Sequence, residues 1–279
     1  MQQWINHAER KQKKKPRSAS LIRLISKGIY LCGDYVGILL AEWLAFHIRN
    51  FLVGNVFQVS VIYIYIVTPA VFLLALAFAG IYSKHYTSAQ MLEKLFKACL
   101  GGIAFSIILM FLTQVSGQVS RLYVGLFAVI VYLFLVVEKY ITALCIRKMP
   151  GLQIPVLIVG AGKTADAAID EARNNVFINY RVGGFLEDFE PSSAYADTYP
   201  ILGGFNDLER VIAETGIQDV IITAPGLPQD QLNHLLYRAQ TLVPYVSVVP
   251  NLVGVPMSNA ELESFFDTHI MVLNIKNNL

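Results

Sequence analysis

Ile154-Pro-Val-Leu-Ile-Val-Gly-Ala-Gly-Lys-Thr-Ala165 is the stretch that decides the fold of this chain. Its first half is aliphatic and β-branched, which is typical of a buried parallel strand, and its glycines predict a tight turn into a helix. Gly160 makes the turn, Gly162 lets a phosphate approach the main chain, and Ala165 keeps the helix close to the sheet. A phosphate would lie at the helix N-terminus, where amides without acceptors favour an anion. The same turn is also common in doubly wound domains that bind nothing.

The predicted helix begins with Lys163 and Thr164. Gly162-Lys163-Thr164 suggests a P-loop, but that motif needs a glycine five residues before Gly162, and Leu157 stands there. The P-loop interpretation is therefore rejected. Gly160, Gly162, Lys163 and Thr164 remain candidate nucleotide-binding residues.

The composition indicates a membrane protein. Of the 279 residues, 55% are hydrophobic and only 15% are charged, and the mean hydropathy is +0.51. These values are too apolar for an ordinary soluble protein of this length. The formal net charge of +2 gives no reason to expect a nucleic-acid partner. The three cysteines lack the spacing of a metal site or of a disulfide framework.

Four apolar segments each approach the roughly 20 residues that a helix needs to cross a bilayer. Basic residues gather in the N-terminal tail, between Lys84 and Lys97, and at Arg147-Lys148. By the positive-inside rule these regions are cytoplasmic, so we expect a multi-pass membrane protein with both termini in the cytoplasm. The segments are Ile29–Ile48, Val59–Tyr82, Phe96–Val115 and Leu122–Val137.

Charged residues also fall inside these segments. Asp34 and Glu42 lie in the first one, where a carboxylate facing lipid would be costly. They would either form a polar path, bind a polyprenyl phosphate through a cation, or lie in helix contacts or at the membrane interface. Glu138 and Lys139 fall near the inner end of the fourth segment, and we expect them to reach the interface by snorkelling.

Strands and helices alternate after residue 154, which predicts a parallel sheet with right-handed crossovers. Ligands of such sheets bind beyond the carboxyl ends of the strands. The second strand ends in Glu187-Asp188, where an acid would contact a ribose, and the strand from Asp219 ends at Thr223. A solvated loop explains the two acids equally well. A capping box at Asn206-x-x-Glu209 is expected to begin the second helix of this half, which runs through Glu214.

Together these patterns predict four transmembrane helices followed by a Rossmann-like α/β domain. We divide the chain into a basic cytoplasmic tail at 1–20, a four-helix membrane domain at 21–150 and a cytoplasmic Rossmann-like, CoA-binding-like domain at 151–279. Lys148-Met-Pro-Gly151 marks the boundary, because proline and glycine stop a helix. His269 has no nucleophile or metal ligand near it in the sequence and is expected to be structural.

The chain resembles the N-terminal part of the polyprenyl glycosylphosphotransferases, in the WbaP-like branch of undecaprenyl-phosphate galactose phosphotransferases. Besides the four apolar segments and the stretch 155–165, the resemblance covers Tyr199–Phe205, Val220–Gly226 and Phe265–Leu279. It implies a location in the bacterial inner membrane and a part in transferring a sugar-1-phosphate from a UDP-sugar to undecaprenyl phosphate. In that family the catalytic Asp-Glu pair belongs to a domain that would begin just after Leu279, so no residue of this sequence receives a catalytic role.

The resemblance leaves three functions open. The chain would be a membrane anchor with a nucleotide-sensing domain, bound to a UDP-sugar or NAD and working with a separate catalytic sugar transferase. It would alternatively be the N-terminal part of an NAD-dependent nucleotide-sugar dehydratase or epimerase, or a purely structural dimerisation module. The lipid bilayer, undecaprenyl phosphate and a second copy in a homodimer are the expected partners.

Overall fold

The computed structural model describes residues 19–54, 60–82, 86, 88–113, 120–249 and 273–276. These residues form a bundle of apolar helices followed by an α/β domain, as the sequence predicts. The basic tail up to Arg17, His269 and the final Asn277–Leu279 lie outside the described residues.

Three of the described helices are long and apolar enough to cross a membrane. They are α1 (Ala19–Val53), α3 (Ser88–Leu112) and α4 (Arg121–Lys148). The second predicted segment gives a shorter helix, with a π-helical part at Tyr63–Val67 followed by α2 at Thr68–Phe78. The chain is therefore a membrane protein by its helices, while the number of crossings and the sides of the termini stay predictions.

The membrane helices pack around a continuous apolar core. Large side chains such as Phe72 and Leu95 are completely buried in it, and the small Ala41 allows α1 to lie close to its neighbours. Outward faces of the same helices carry exposed Phe51, Phe78 and other large apolar residues, as lipid-facing surfaces require.

The charged residues near the inner end of α4 do not snorkel. Lys139 is completely buried and pairs with Asp34 of α1, with Nζ 2.6 Å from Oδ2. Asp34 is also fully buried, and Glu42 is 3% exposed. The helix-contact interpretation of Asp34 and Glu42 is thus the one that the structure supports, and the interfacial position expected for Lys139 is wrong.

In the part of the α/β domain that the structure describes, five strands run parallel and one edge strand is antiparallel. The order across the sheet is β3-β2-β1-β4-β5-β6, and only β6 runs against its neighbour β5. A one-residue bulge at Gly183 shifts the register between β1 and β2. The strands are β1 Ile154–Val159, β2 Tyr180–Leu186, β3 Ile201–Gly203, β4 Asp219–Ile222, β5 Tyr245–Val248 and β6 Leu273–Lys276.

Helices cover both faces of the sheet. Helix α5 (Lys163–Asn174) packs Ala165 and Ile169 on one face, while α6 (Leu208–Thr215) and α7 (Gln229–Leu242) cover the other. The predicted capping box is wrong. A 3-10 turn at Phe205–Asp207 precedes α6, and Asp207 accepts the Gly204 amide at 3.0 Å in place of the expected Asn206–Glu209 pair.

Candidate functional site at the glycine turn

The glycine turn lies where the sheet order reverses direction. The chain adds β2 and β3 on one side of β1 and then crosses to add β4 and β5 on the other. At such a switch point the loops after β1 and β4 separate and leave a crevice beyond the carboxyl ends of the strands. The loops that follow Val159 and Ile222 border this crevice.

Gly160 is required by its backbone conformation. Its φ of +103° is one that side-chain-bearing residues rarely adopt, and an added Cβ would lie 2.9 Å from the carbonyl oxygen of Thr223. Thr223 fastens the turn from the other side, since its hydroxyl donates to the Gly160 carbonyl at 2.8 Å and its amide donates to the Val159 carbonyl at 2.7 Å. Thr223 is only 2% exposed, so it shapes the turn and is not open to a ligand.

Gly162 precedes α5 as its N-cap residue, and no side chain caps this end of the helix. Its φ of −107° is open to any residue, and an added Cβ would meet only the Ser192 Oγ at 3.7 Å. The first amides of a helix have no acceptors within it, and here they belong to Lys163 and Thr164. Lys163 is exposed and Thr164 is half-buried, so an anion has access to both.

Glu187 lies beside the turn but bonds to the protein's own amides. One carboxylate oxygen, Oε2, accepts the amide of Ala161 at 2.5 Å. The other, Oε1, accepts the amides of Asp188 at 3.0 Å and Phe189 at 3.1 Å. The Glu187 carboxyl group therefore accepts three main-chain amides at and beside the turn.

Asp188 is directed away from the turn. Its Oδ1 accepts the amide of Phe205 at 2.8 Å, so it closes the 3-10 turn before α6. Of the seven candidate residues, Gly160, Gly162, Lys163, Thr164 and Glu187 lie together at the crevice, Thr223 lies buried behind them, and Asp188 belongs to a neighbouring turn.

The loop after β2 is anchored to α5, which the sequence did not indicate. The amides of Ser192 and Ser193 both donate to the Ala161 carbonyl at 2.9 Å. Asp166 in the first turn of α5 accepts the Ser193 hydroxyl at 2.5 Å and the Ala194 amide at 3.1 Å. Because Ser192 borders Gly162, this loop forms one wall of the crevice. Asp166 was a possible signal, since an acid in the first turn of a helix has a recognisable electrostatic reason.

The α/β domain is joined to the membrane helices at the opposite end of the sheet. Arg23 of α1 pairs with Asp219, the first residue of β4, and its guanidinium lies 3.6 Å from the centre of the Tyr245 ring. Asp219 is 3% exposed. Burial raises the pKa of Asp219 to about 6, although the nearby charge of Arg23 opposes this shift. Strand β4, which is followed by Thr223 beside the glycine turn, thus begins at a buried ion pair with the membrane domain.

A second contact joins the two halves. Phe177, just after α5, packs edge-on against Tyr140 of α4 with ring centres 5.0 Å apart. The side-chain amide of Asn175 donates to the Tyr86 carbonyl at 3.4 Å, and Arg147 donates to the Arg173 carbonyl. The C-terminal end of α5 and the first residue of β4 are therefore both in contact with the membrane bundle.

A comparison with protein families identifies the domain. The family model of a CoA-binding domain matches residues 77–250, well over half of the chain. The chain therefore belongs to this CoA-binding domain family. The match begins within α2 and covers α3 and α4 as well as all five parallel strands.

The chain is also similar to a curated protein described as an uncharacterized sugar transferase of Haemophilus influenzae. The two are 27% identical over 124 residues, which is 44% of this chain and 26% of the relative. The similarity thus spans about a quarter of that relative's length.

Proposed function

We propose that this chain is the membrane-anchored, nucleotide-sensing part of a sugar-transferase system. Its α/β domain would bind a nucleotide, with a UDP-sugar as the preferred class. Binding would then change the arrangement of the membrane helices. The similarity to a sugar transferase supports the system, as do the residues that resemble polyprenyl glycosylphosphotransferases. Undecaprenyl phosphate would be the lipid acceptor, and a catalytic transferase domain or subunit would carry out the chemistry for exopolysaccharide or O-antigen assembly.

The observation that carries this proposal is the open N-terminus of α5 at the switch point of the sheet. Gly162 has no conformational need to be glycine, and the space beside it is free apart from Ser192. A glycine that the backbone does not require is explained when a ligand must approach the main chain closely. A diphosphate would accept the amides of Lys163 and Thr164 and lie near the Lys163 ammonium group.

A nucleotide could bind beside Glu187 in two ways, and the mutation Glu187→Gln would change the affinity in opposite directions in the two. If a phosphate displaces the carboxylate from the Ala161 amide, the negative charge of Glu187 opposes binding. If the carboxylate remains and accepts the hydroxyls of a ribose, its charge favours binding. Glu187→Gln, which keeps the shape, should therefore strengthen nucleotide binding in the first mode and weaken it in the second.

Calorimetry on the full chain in detergent tests the proposal. UDP, UDP-galactose, NAD and coenzyme A would each be titrated into the wild-type protein and into Gly162→Val. We expect one of them to bind and the variant to lose most of that affinity while keeping the wild-type melting temperature, because a Cβ at this position meets only Ser192 Oγ, at 3.7 Å.

Two results would contradict the proposal. Equal binding by wild type and Gly162→Val would place the ligand elsewhere, and no binding of any of the four to a folded protein would leave a structural dimerisation module. NAD binding in place of UDP-sugar binding would favour the dehydratase interpretation. Release of UMP from UDP-galactose and undecaprenyl phosphate by this chain alone would show that it is itself the catalyst.

A further inference from the structure

A buried charged cluster joins α1 to α4 within the membrane bundle. It consists of Asp34 from α1 and the neighbours Glu138 and Lys139 from α4. Asp34 and Lys139 are 0% exposed, and the Glu138 side chain is 11% exposed. The Lys139 ammonium lies 2.6 Å from Asp34 Oδ2 and 3.7 Å from Glu138 Oε2, so one cation faces two carboxyl groups.

The groups packed around this cluster are neutral polar or aromatic. The Tyr82 hydroxyl donates to Asp34 Oδ2 at 2.5 Å, and Thr142 donates to Glu138 Oε1 at 2.6 Å. The rings of Tyr30 and Tyr82 lie 4.9 Å and 5.1 Å from the Lys139 ammonium, and the Cys99 thiol of α3 lies within electrostatic range of Asp34. Among these described neighbours Lys139 is the one cation.

The hydrogen bonds leave two carboxyl oxygens unmatched. Asp34 Oδ1 and Glu138 Oε2 are buried and accept no hydrogen bond from the described residues. Both carboxyl groups face the same ammonium group, because Lys139 Nζ lies 2.6 Å from Asp34 Oδ2 and 3.7 Å from Glu138 Oε2. Two ionised carboxylates buried around one ammonium would repel each other, and Lys139 neutralises only one of them.

We propose that the cluster of Asp34, Glu138 and Lys139 is a proton-binding site, in which one proton is shared between the two carboxyl groups. With that proton, the two acids and the lysine together carry no net charge between α1 and α4. Loss of the proton leaves one uncompensated negative charge in the bundle. The contact between α1 and α4 is therefore stronger in the protonated state.

A proton fits this place better than a metal ion does. Lys139 already lies within 2.6 Å and 3.7 Å of the oxygens that a metal would need, and its charge would repel a second cation. A proton needs only one oxygen of the Asp34 or Glu138 carboxyl group. The described residues include no group of three or more His, Cys, Asp or Glu side chains placed to hold a metal.

Infrared spectroscopy of the full chain in lipid nanodiscs tests this site directly. A protonated carboxylic acid has a C=O stretching band that a carboxylate lacks, and the band shifts in heavy water. We expect wild type to show such a band at neutral pH, and both Glu138→Gln and Asp34→Asn to remove it. Asp34→Asn is informative even if Glu138→Gln fails to fold, because Glu138 alone beside Lys139 would be ionised.

Two controls separate the cluster from other acids. Glu42→Gln changes a second buried acid of α1, and any band that it removes must be distinct from the one lost in Glu138→Gln. Glu93→Gln changes an exposed acid, paired with Lys97 on α3, and should leave the spectrum in this region unchanged.

Thermal unfolding measures how the bound proton affects the stability of the protein. Wild type should lose several degrees of melting temperature between neutral and alkaline pH, and Glu138→Gln should lose less because it cannot release the proton. The proposal is overturned if neither Asp34→Asn nor Glu138→Gln removes a band, or if Glu138→Gln shows the same alkaline loss as wild type.

Discussion

Gly160 is the position at which one methyl group would do most harm to the glycine turn. Alanine at Gly160 must keep φ near +103° and would bring its Cβ within 2.9 Å of the Thr223 carbonyl. A strained backbone of this kind costs about 1–3 kcal/mol. We expect Gly160→Ala to lower the stability of the α/β domain by this amount, measured by hydrogen exchange of β1 and β4 in the full chain.

Gly162→Ala is the matched control, two residues away on the same turn. Its φ of −107° suits alanine, and the nearest atom to the new Cβ is 3.7 Å away. The amides of β1 and β4 in Gly162→Ala should exchange hydrogen at the wild-type rates. Equal protection in both variants would show that the turn relaxes around a side chain at Gly160 and that the strain argument is wrong.

The sequence predicted which residues form the glycine turn but not what their side chains contact. Gly160 and Gly162 carry the pattern in their spacing, because only a few turns connect a buried strand to a helix. Glu187 has no such local constraint, and its bonds to the Ala161 and Phe189 amides depend on how β1 and β2 end side by side. Lys139 was misjudged for the same reason, since its partner Asp34 is distant in the sequence.

At the scale of helices and strands, the alternation of apolar strand segments with amphipathic helices predicted the elements of the sheet closely. The main difference is in the second membrane segment, where Pro69 has no amide to donate to the carbonyl of Tyr65. The helix widens to a π-helix at Tyr63–Val67, and the Tyr35 hydroxyl of α1 donates to that carbonyl at 3.1 Å. Composition showed an apolar segment, whereas the hydroxyl group that satisfies the freed carbonyl comes from another helix.

The contact between α1 and α4 yields a prediction at this scale. A Cβ at Gly33 would lie 2.0 Å from Glu138 Oε1, so Gly33→Ala must move a buried carboxyl group away from Thr142. Loss of such a buried hydrogen bond costs about 1–3 kcal/mol. We expect Gly33→Ala to lower the melting temperature of the full chain in detergent.

Gly37, one turn further along α1, provides the comparison. A Cβ there would make ordinary contacts, all at 3.7 Å, with Glu138 and Leu135. Gly37→Ala should melt at or slightly above the wild-type temperature, since alanine also favours a helix over glycine. A larger loss in Gly37→Ala than in Gly33→Ala would contradict the packing described for these helices.

In the whole molecule, strand β4 is one of the elements that connect the crevice to the membrane bundle. Strand β4 begins at Asp219, which pairs with Arg23 of α1, and is followed by Thr223, which fastens Gly160. Movement of α1 along its axis would therefore displace the strand on which the glycine turn depends. This connection is the physical route by which a bound nucleotide would affect the membrane helices in the proposed function.

The Arg23–Asp219 pair makes the stability of this connection depend on pH. Burial raises the pKa of Asp219 from 3.8 to about 6, so the folded protein holds this proton more tightly than the unfolded chain does. The stabilisation from this group is fully present below 3.8 and is lost as the pH rises through about 6. Above that range Asp219 is ionised, and Arg23 limits the cost of burying its charge.

Arg23→Leu should therefore be most harmful at high pH. Removing one partner of a buried ion pair costs about 3–5 kcal/mol, which we expect near pH 8, where Asp219 would be charged and unpaired. Near pH 5 Asp219 is protonated and needs no cation, so the loss should be much smaller. Unfolding of the full chain in detergent at both pH values measures the difference.

Arg210→Leu removes an exposed pair with Glu214 and should have little effect at either pH. An equal loss for Arg23→Leu at both pH values would show that Arg23 acts through its packing on Tyr245 and not through its charge.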